Sequence, residues 1–434
     1  MTSTALMWHR SDLRVHDLPA LCDALAAHER VVPCFVLDDG LLGRSPARDA
    51  FLAGCLTALD EELRARSSGL VVRRGRPEAV LVELARETGA EAVFWTSDVS
   101  PFARARDARV TDALRSAGVA ARPATGAYCV DVSKVGGGTV FTPWWKRWAD
   151  VPRREVLEAP QRIGAVDVET GFGEALGAPP PAAPAAPVVQ PGEGPARAAL
   201  DTWLREGLDH YANRQDGMSR IGTSQLSPYL RWGCLSAREC EARARDAGGK
   251  GAGAWVRQLA WREFYAHVLL EHPGNVREEF QERYRGTLEW SEDADTLAAW
   301  HEGRTGFPLV DAGMRELAQT GWMHNRVRLV VGSFLTKDLH HDWRAGEAWF
   351  ARQLLDGEPA QNNGNWQWIA SVGVDPAPAF RRVFNPELQR EKFDASGAYV
   401  ARWVPEHGTP AYPEPIVDHQ VERRVALERY NVSR

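Results

Sequence analysis

Between Trp343 and Trp368 the chain reads WRAGEAWFARQLLDGEPAQNNGNWQW, which sets four tryptophans around a run of amides. The amides, Gln361, Asn362, Asn363, Asn365 and Gln367, follow the acidic pair Asp356 and Glu358. Indole rings are apolar, polarisable and oxidisable, and amides hydrogen-bond without carrying charge. The combination suits a buried aromatic cofactor that exchanges electrons, and it also fits a packed helical core with a capped loop. A second constellation is GTSQLSPYLRWG, from Gly222 to Gly233. Thr223, Ser224 and Ser227 precede Pro228, a residue favoured in a first helical turn. Hydroxyls and free backbone N–H groups therefore gather at a positive helix end, which suits a pyrophosphate as well as an ordinary N-cap. In a third, GWMHNRVR, Asn325 and Arg328 stand three apart on one helical face, where an arginine is either solvated or paired.

The elements that must hold these groups fall into two halves. From Leu6 to about Val130, short apolar runs (5 to 8, 31 to 37, 70 to 72, 92 to 95) alternate with amphipathic stretches such as FLAGCLTALDEELRAR (51 to 66) and EAVLVELARETG (78 to 89). That alternation predicts a doubly wound parallel α/β sheet over residues 1–130. HRSDLRVHD follows the first strand in place of a Gly-x-Gly-x-x-Gly turn, so a NAD-type site is not indicated there. From about 150 to 197 the composition shifts to Pro, Ala and Gly, most densely over 177 to 195, and residues 131–197 are expected to link two domains. Beyond Ala198 the periodicity is helical, and twelve of the seventeen tryptophans lie past residue 200. The aromatic chemistry is thereby placed in an all-α domain, 198–434.

A chain of 434 residues exceeds one ordinary core. No run of about 18 apolar residues exists, and MTSTALMWHR lacks the basic and apolar regions of a secretory signal, so a cytoplasmic protein without membrane spans is expected. The six cysteines are scattered without Cys-x-x-Cys spacing or a nearby histidine ligand, which indicates reduced thiols and no metal site. A net charge of −6 cannot hold DNA by bulk electrostatics, so any nucleic-acid partner needs a local basic face.

Five segments in order along the C-terminal half resemble the DNA photolyase and cryptochrome family, most of all its bacterial class I cyclobutane-dimer photolyases. They are TSQLSPYLRWG, LAWREFY (Leu259 to Tyr265), TGWMHNRVR (Thr320 to Arg328), DGEPAQNNGNWQW and FNPELQREKFD (Phe384 to Asp394). The opening WHRSDLRVHD is similar to the family's first motif. The resemblance implies an FAD-dependent enzyme, monomeric, that repairs ultraviolet-damaged DNA by light-driven electron transfer, splitting cyclobutane pyrimidine dimers. A cryptochrome-like photoreceptor and a six-four photolyase are the alternatives.

Carried over residue by residue, the family pattern sets Tyr211, Thr223, Ser224, Gln225, Leu226 and Ser227 about the FAD phosphates. It pairs Arg328 with Asp356 beside the flavin ring, near Asn325 and Glu358, and turns Asn362 toward flavin N5. Glu358 stands where the family more often has aspartate. Trp366, Trp343 and Trp290 match the proximal, middle and distal members of the relay that reduces the flavin, and Trp261 and Trp368 match the indoles flanking the flipped-out dimer. Two departures are Gln258, in place of a dimer-binding glutamate, and Leu329, in place of methionine. His324 is followed by Asn325 rather than by the second histidine of six-four enzymes, which keeps the cyclobutane dimer ahead. Arg326, Arg381, Arg382, Arg390 and Lys392 are the expected phosphate contacts, with a solvated run beside Glu387 and Glu391 as the alternative. The family's folate-antenna residues are missing at Phe102, Ala103, Val276 and Arg277, whereas Arg48, Asp98 and Arg231 match a deazaflavin-type antenna site.

Overall fold

The computed structural model describes residues 3–40, 43, 45–165, 167–171, 187–218 and 222–432. Five parallel strands, β1 (Thr4–His9), β2 (Arg30–Leu37), β3 (Val71–Arg74), β4 (Ala92–Thr96) and β5 (Ala120–Ala124), form one sheet in the order β3-β2-β1-β4-β5. Strand β1 is buried along its whole length between β2 and β4, which is why it reads as an unbroken apolar run. Pro33 is opposite Met7 of β1, and pairing with β3 starts only at Cys34, so its missing N–H costs no ladder bond on the β3 side. Strand β5 (AARPA) is a half-exposed edge where Pro123 is tolerated; its sequence carries no apolar run to announce it.

Helices α1 (Pro19–Ala27), α2 (Pro46–Arg64), α3 (Pro77–Thr88) and α4 (Pro101–Ser116) cross between these strands, each with a proline in the first turn. Ser45 and Ser100 cap α2 and α4 by accepting from the Arg48 and Ala103 backbone N–H groups.

The stretch expected to be only a linker, 131–197, contains helix α5 (Phe141–Asp150). Its stripe Phe141, Trp144, Trp148 has helical spacing, and both tryptophans are fully buried. Glu263, itself buried, ties this segment down by accepting from the Trp148 indole N–H (2.6 Å) and the Cys129 backbone N–H (2.5 Å). Much of the densest Pro/Ala stretch, 177 to 186, lies outside the described residues.

The second half is helical: α6 (Glu193–Glu206), α7 (Tyr211–Arg214), α8 (Ser227–Trp232), α9 (Ala237–Ala247), α10 (Ala252–Glu271), α11 (Ala294–Glu302), α12 (Pro308–Thr320), α13 (Asn325–Ser333), α14 (Trp343–Gln353), α15 (Pro359–Ile369), α16 (Pro386–Phe393), α17 (Ala398–Trp403) and α18 (His419–Val432). One core runs from the sheet into α10, joining Phe51 and Cys55 of α2 to Trp232 and Leu259; a second surrounds α12 to α15. The two halves meet backbone to backbone. The Leu13 N–H donates to the Trp232 carbonyl (3.2 Å), and the Glu193 carboxylate accepts from the N–H groups of Val15 (2.8 Å) and His16 (3.1 Å). Gly233 has φ +68°, and a Cβ there would fall 2.1 Å from the Ser11 carbonyl oxygen, so glycine is required. Among the described residues, no helix is long and apolar enough to cross a membrane and no acidic, His or Cys cluster could hold a metal.

Candidate functional site

The residues before α8, together with α10, the start of α13 and the turn into α15, enclose an inner cavity of about 360 Å³. Tyr211, Thr223, Ser224, Gln225, Leu226 and Ser227 line one side. Gln258 opens onto it from α10; Asn325, Arg328, Asp356 and Glu358 close the other side. A smaller adjoining space of about 70 Å³ adds Leu329, Asn362 and Trp366. Every residue expected to hold FAD therefore borders one connected region, although the sequence spreads them over 150 positions.

Chemistry within this region is specific. Asp356 is 9% exposed; its Oδ2 accepts from Arg328 (2.8 Å) and from the Ser227 hydroxyl (2.6 Å). Arg328 also donates Nε–H to the Met323 carbonyl (2.8 Å), which fixes the fork. Ser227 consequently is not an N-cap. Helix α8 starts without a side-chain cap and has six residues, so hydroxyls and amides, rather than a long helix dipole, face the cavity. Gln225 has a left-handed φ of +52°, an uncommon conformation for a residue with a side chain.

Three buried polar atoms along this wall have no partner: Thr223 Oγ1, Gln225 Nε2 and Asp356 Oδ1. Buried polar groups are rarely left unpaired, because each orphan costs about 1–3 kcal/mol. Such a set at one cavity marks a polar ligand with acceptors and donors along its length. A flavin with a pyrophosphate chain fits the donor set: hydroxyl and amide donors at one end, an arginine–carboxylate pair at the other.

Helix α15 carries the groups expected to face the flavin. Glu358 caps it, accepting from the Gln361 backbone N–H (2.8 Å), the service an aspartate would also perform there. The Asn362 amide donates to the Glu347 carbonyl (2.9 Å). That bond fixes which end of the amide faces away from the helix. Asn363 donates to the Glu347 side chain (3.2 Å), and burial pushes the Glu347 carboxyl up to about 7, moderated by that bond. Glu347 was invisible to motif reading because it lies one helix away, within WRAGEAWF, and only packing brings it under Asn362. At the other end of α15, Lys337, fully buried, donates to the Ile369 carbonyl, and the Tyr430 hydroxyl donates to that of Ala370 (2.5 Å). The C-terminal end of the helix is thus held by distant side chains, and its start by its own Glu358.

Of the relay residues, Trp366 is 3% exposed and Trp343 fully buried, both in the second core. The Trp366 ring rests on Gly346, where a Cβ would stand 2.1 Å from Cη2; Trp343 lies one turn earlier on the same helix. Trp343 donates its indole N–H to Glu279 (3.3 Å). Trp290 is half-buried at the edge of that core, with the Arg429 guanidinium 5.4 Å from its ring centre. An indole missed by the motifs, Trp300, packs edge-on to Trp366 at 6.3 Å.

Trp261 on α10 and Trp368 on α15 are both half-buried and do not touch each other. The helices carrying them cross where Gly364 meets Tyr265, one turn from each indole; a Cβ on Gly364 would lie 2.1 Å from the Tyr265 ring.

The basic residues divide. Arg381 and Lys392 are exposed, Arg390 pairs with Glu387, and Arg326 pairs with Asp216 (2.6 Å). Arg382 departs from expectation: it is 1% exposed, ion-paired with Asp375, and its guanidinium lies 4.4 Å over the Trp368 ring. Buried behind an indole, it is placed to hold Trp368 rather than a phosphate.

A larger outer cavity, about 800 Å³, opens between the two halves. Arg48 and Arg231 line it together with Trp8 and Trp232, and both donate to the Gly357 carbonyl (3.2 and 3.0 Å). Burial, seconded by Arg231, holds Arg48 down to about 9. Asp98 does not line this cavity; its carboxylate accepts from the Ser100 backbone N–H (2.8 Å) at the start of α4.

Two family descriptions match the chain: "DNA photolyase" over residues 5–161 and "FAD binding domain of DNA photolyase" over 255–409. The chain is 39% identical to the deoxyribodipyrimidine photo-lyase of Streptomyces griseus, over 98% of this chain and 99% of that one. Its fold is similar to the class III photolyase of Agrobacterium tumefaciens, with a TM-score of 0.93, 33% identity, and coverage of 100% and 98% of the two chains. It is also similar to the Sulfolobus tokodaii photolyase solved with two FAD molecules, with a TM-score of 0.90, 30% identity, and coverage of 99% and 100%.

Proposed function

The chain belongs to the DNA photolyase family and, with FAD bound, repairs ultraviolet-damaged DNA by light-driven electron transfer that splits cyclobutane pyrimidine dimers; we propose that the residues gathered about the inner cavity run this reaction. The observation that carries the assignment is the trio of partnerless polar atoms on Thr223, Gln225 and Asp356. When bound there, FAD would supply a photoexcited one-electron donor for dimer splitting.

The protein's own part is binding, orientation and exclusion of water. Thr223, Ser224 and Gln225 offer side-chain donors to the phosphates, and Ser227 lines the same wall with its hydroxyl proton committed to Asp356, while Leu226 and Tyr211 wall the chain that joins them. The Arg328–Asp356 pair sets the charge beside the flavin ring, Ser227 fixes the carboxylate, and Asn325 lies next to it. Asn362, steered by the Glu347 carbonyl, presents a neutral amide to the reactive edge of the ring. Trp366, Trp343 and Trp290 serve as the electron entry route from the surface.

An extruded dimer would sit between Trp261 and Trp368, with the Gln258 amide on its imide edge and Leu329 beneath; apolar walls keep water from the charged dimer. Arg326, Arg381, Arg390 and Lys392 contact phosphates, and Arg382 braces Trp368. The outer cavity, with Arg48 and Arg231, takes an antenna pigment, of deazaflavin rather than folate type. The protein acts as a cytoplasmic monomer, organised as residues 1–130 and 198–434 with 131–197 between them.

The test is the visible spectrum and FAD content of purified protein, followed by illumination with DNA carrying one defined lesion. One FAD per chain and restored thymines from cyclobutane dimers are expected. Repair of six-four lesions alone would overturn the substrate, and repair of neither would move the chain among the cryptochrome-like photoreceptors.

A further inference from the structure

We propose that Phe141 is a positioning residue for lesion binding: its ring backs Trp261 and fixes the plane on which an extruded pyrimidine dimer stacks. The inference rests on the reading of Trp261 as a wall of the lesion cavity. It adds a residue from a segment whose composition presents it as a linker.

The Phe141 and Trp261 rings lie face to face, with centres 3.6 Å apart and planes within 6°. Phe264 seals the pair from the side, standing edge-on to both at 5.5 Å, at 83° and 87°. Phe141 is only 6% exposed and continues into the core around Trp144, so the face of Trp261 that it covers is the protein-side face. Trp261 nevertheless remains half-buried, and the face stacked on Phe141 is the covered one. On α10, Gln258 lies one turn before Trp261 on the mouth of the inner cavity, and Tyr265, one turn after, flanks the indole at 5.8 Å. Trp261 thus shares one stretch of α10 with Gln258, a group expected to touch the dimer. Arg257 holds its guanidinium 5.2 Å from the Phe141 ring centre and has no carboxylate within ion-pair distance among the described residues. That cation–π contact helps to hold the Phe141 ring in its place behind the indole.

An indole stacked in this way has lost its side-chain freedom before any substrate arrives. Rotating Trp261 would break the Phe141 stack and collide with Phe264. An unbacked indole would have to be immobilised by the dimer itself, at the expense of affinity. The stack does not hold α5 in place by itself, because Glu263 anchors the segment through Trp148 and Cys129. Changing Phe141 therefore separates the backing of Trp261 from the attachment of α5.

Binding to short DNA with one cyclobutane dimer, and to the same DNA undamaged, is measured in the dark by fluorescence anisotropy with FAD-loaded protein. Wild type is compared with Phe141→Leu, Phe141→Tyr and Trp261→Leu, and thermal melts are run alongside. Phe141→Leu keeps volume without a flat ring: it is expected to bind undamaged DNA as wild type does while its dimer affinity falls about 2- to 10-fold, the range of one aromatic pair. Phe141→Tyr keeps the ring and should restore the ratio of dimer to undamaged affinity. If Phe141→Leu keeps the full ratio while Trp261→Leu loses it, Phe141 does not position the wall. Equal loss of affinity for both DNAs would make its role merely structural and also overturn the proposal. If Trp261→Leu keeps the ratio, the wall reading itself falls.

Discussion

Removing the charge of Asp356 tests the inner cavity most directly, because one oxygen of that carboxylate is committed within the protein and the other is not. Oδ2 serves Arg328 and Ser227, whereas Oδ1 is buried without a partner. Breaking a buried ion pair costs about 3–5 kcal/mol, but the Arg328 side chain is 23% exposed and keeps its bond to Met323, so Asp356→Ala should lower apoprotein stability by roughly 2–3 kcal/mol. Asp356→Asn keeps shape and one acceptor and exchanges charge-assisted bonds for neutral ones, a loss of about 1–2 kcal/mol. On FAD, the charge-assisted bond made by the freed oxygen is worth about 1.5–3 kcal/mol, so either variant should rebind FAD about 10- to 150-fold more weakly. The assay pairs denaturant unfolding of the apoprotein with titration of stripped protein by FAD, followed by flavin fluorescence. An Asn variant that loses the expected stability yet rebinds FAD like wild type would show that Oδ1 does not face the cofactor.

Three further outcomes are expected. Trp366→Phe nearly preserves volume but removes the oxidisable ring, so light-driven reduction of bound oxidised FAD should slow at least tenfold while chemically reduced enzyme still repairs dimers; unchanged photoreduction would make Trp366 a core residue only. Gln258→Glu should leave repair equal or better, since a carboxyl group bonds the dimer more strongly than a neutral amide, and a sharp fall in single-turnover repair would contradict it. Burial, seconded by Arg328, holds the His324 imidazole down to about 4, and its Nδ1 caps α13 by accepting from the Arg326 N–H (3.1 Å). The folded pKa lies below the ordinary 6.5, so the neutral form stabilises the fold above that value. About 3 kcal/mol should be lost as pH falls from 6.5 toward 4, and His324→Asn, which can cap without titrating, should flatten that part of the stability curve.

Much of this was legible in the chain. The apolar runs at 5 to 8, 31 to 37, 70 to 72 and 92 to 95 became β1 to β4: β1, β2 and β4 are central and buried on both faces, and the edge strand β3 was announced by its buried start, Val71 and Val72. Strand β5 was not, since a half-exposed edge needs no such run, and AARPA looks like a turn. The Pro/Ala richness that follows masked α5, although Phe141, Trp144 and Trp148 carry a plain helical stripe. Within the site, local motifs located the cavity walls, but the partners that orient them come from elsewhere: Glu347 beneath Asn362, Lys337 and Tyr430 at the end of α15. Arg382 shows the converse limit, since a basic run on paper does not reveal which arginine turns inward.

Gly357 and Glu358, in the turn before α15, and Asn362, on its first turn, form a party wall between two chambers. Gly357 lines the small space beside Trp366 and also the outer cavity, and its carbonyl takes both Arg48 and Arg231. A Cβ at Gly357 would lie 2.7 Å from Arg48 Nη1, so no side chain can be added without shifting that arginine. The rest of the outer chamber comes largely from the sheet half, through Trp8, Arg10, Phe35 and Arg106. Variation can therefore be tolerated unequally on its two sides. A change at Phe35 or Arg106 touches the outer chamber alone, whereas a change in the party wall disturbs both rooms.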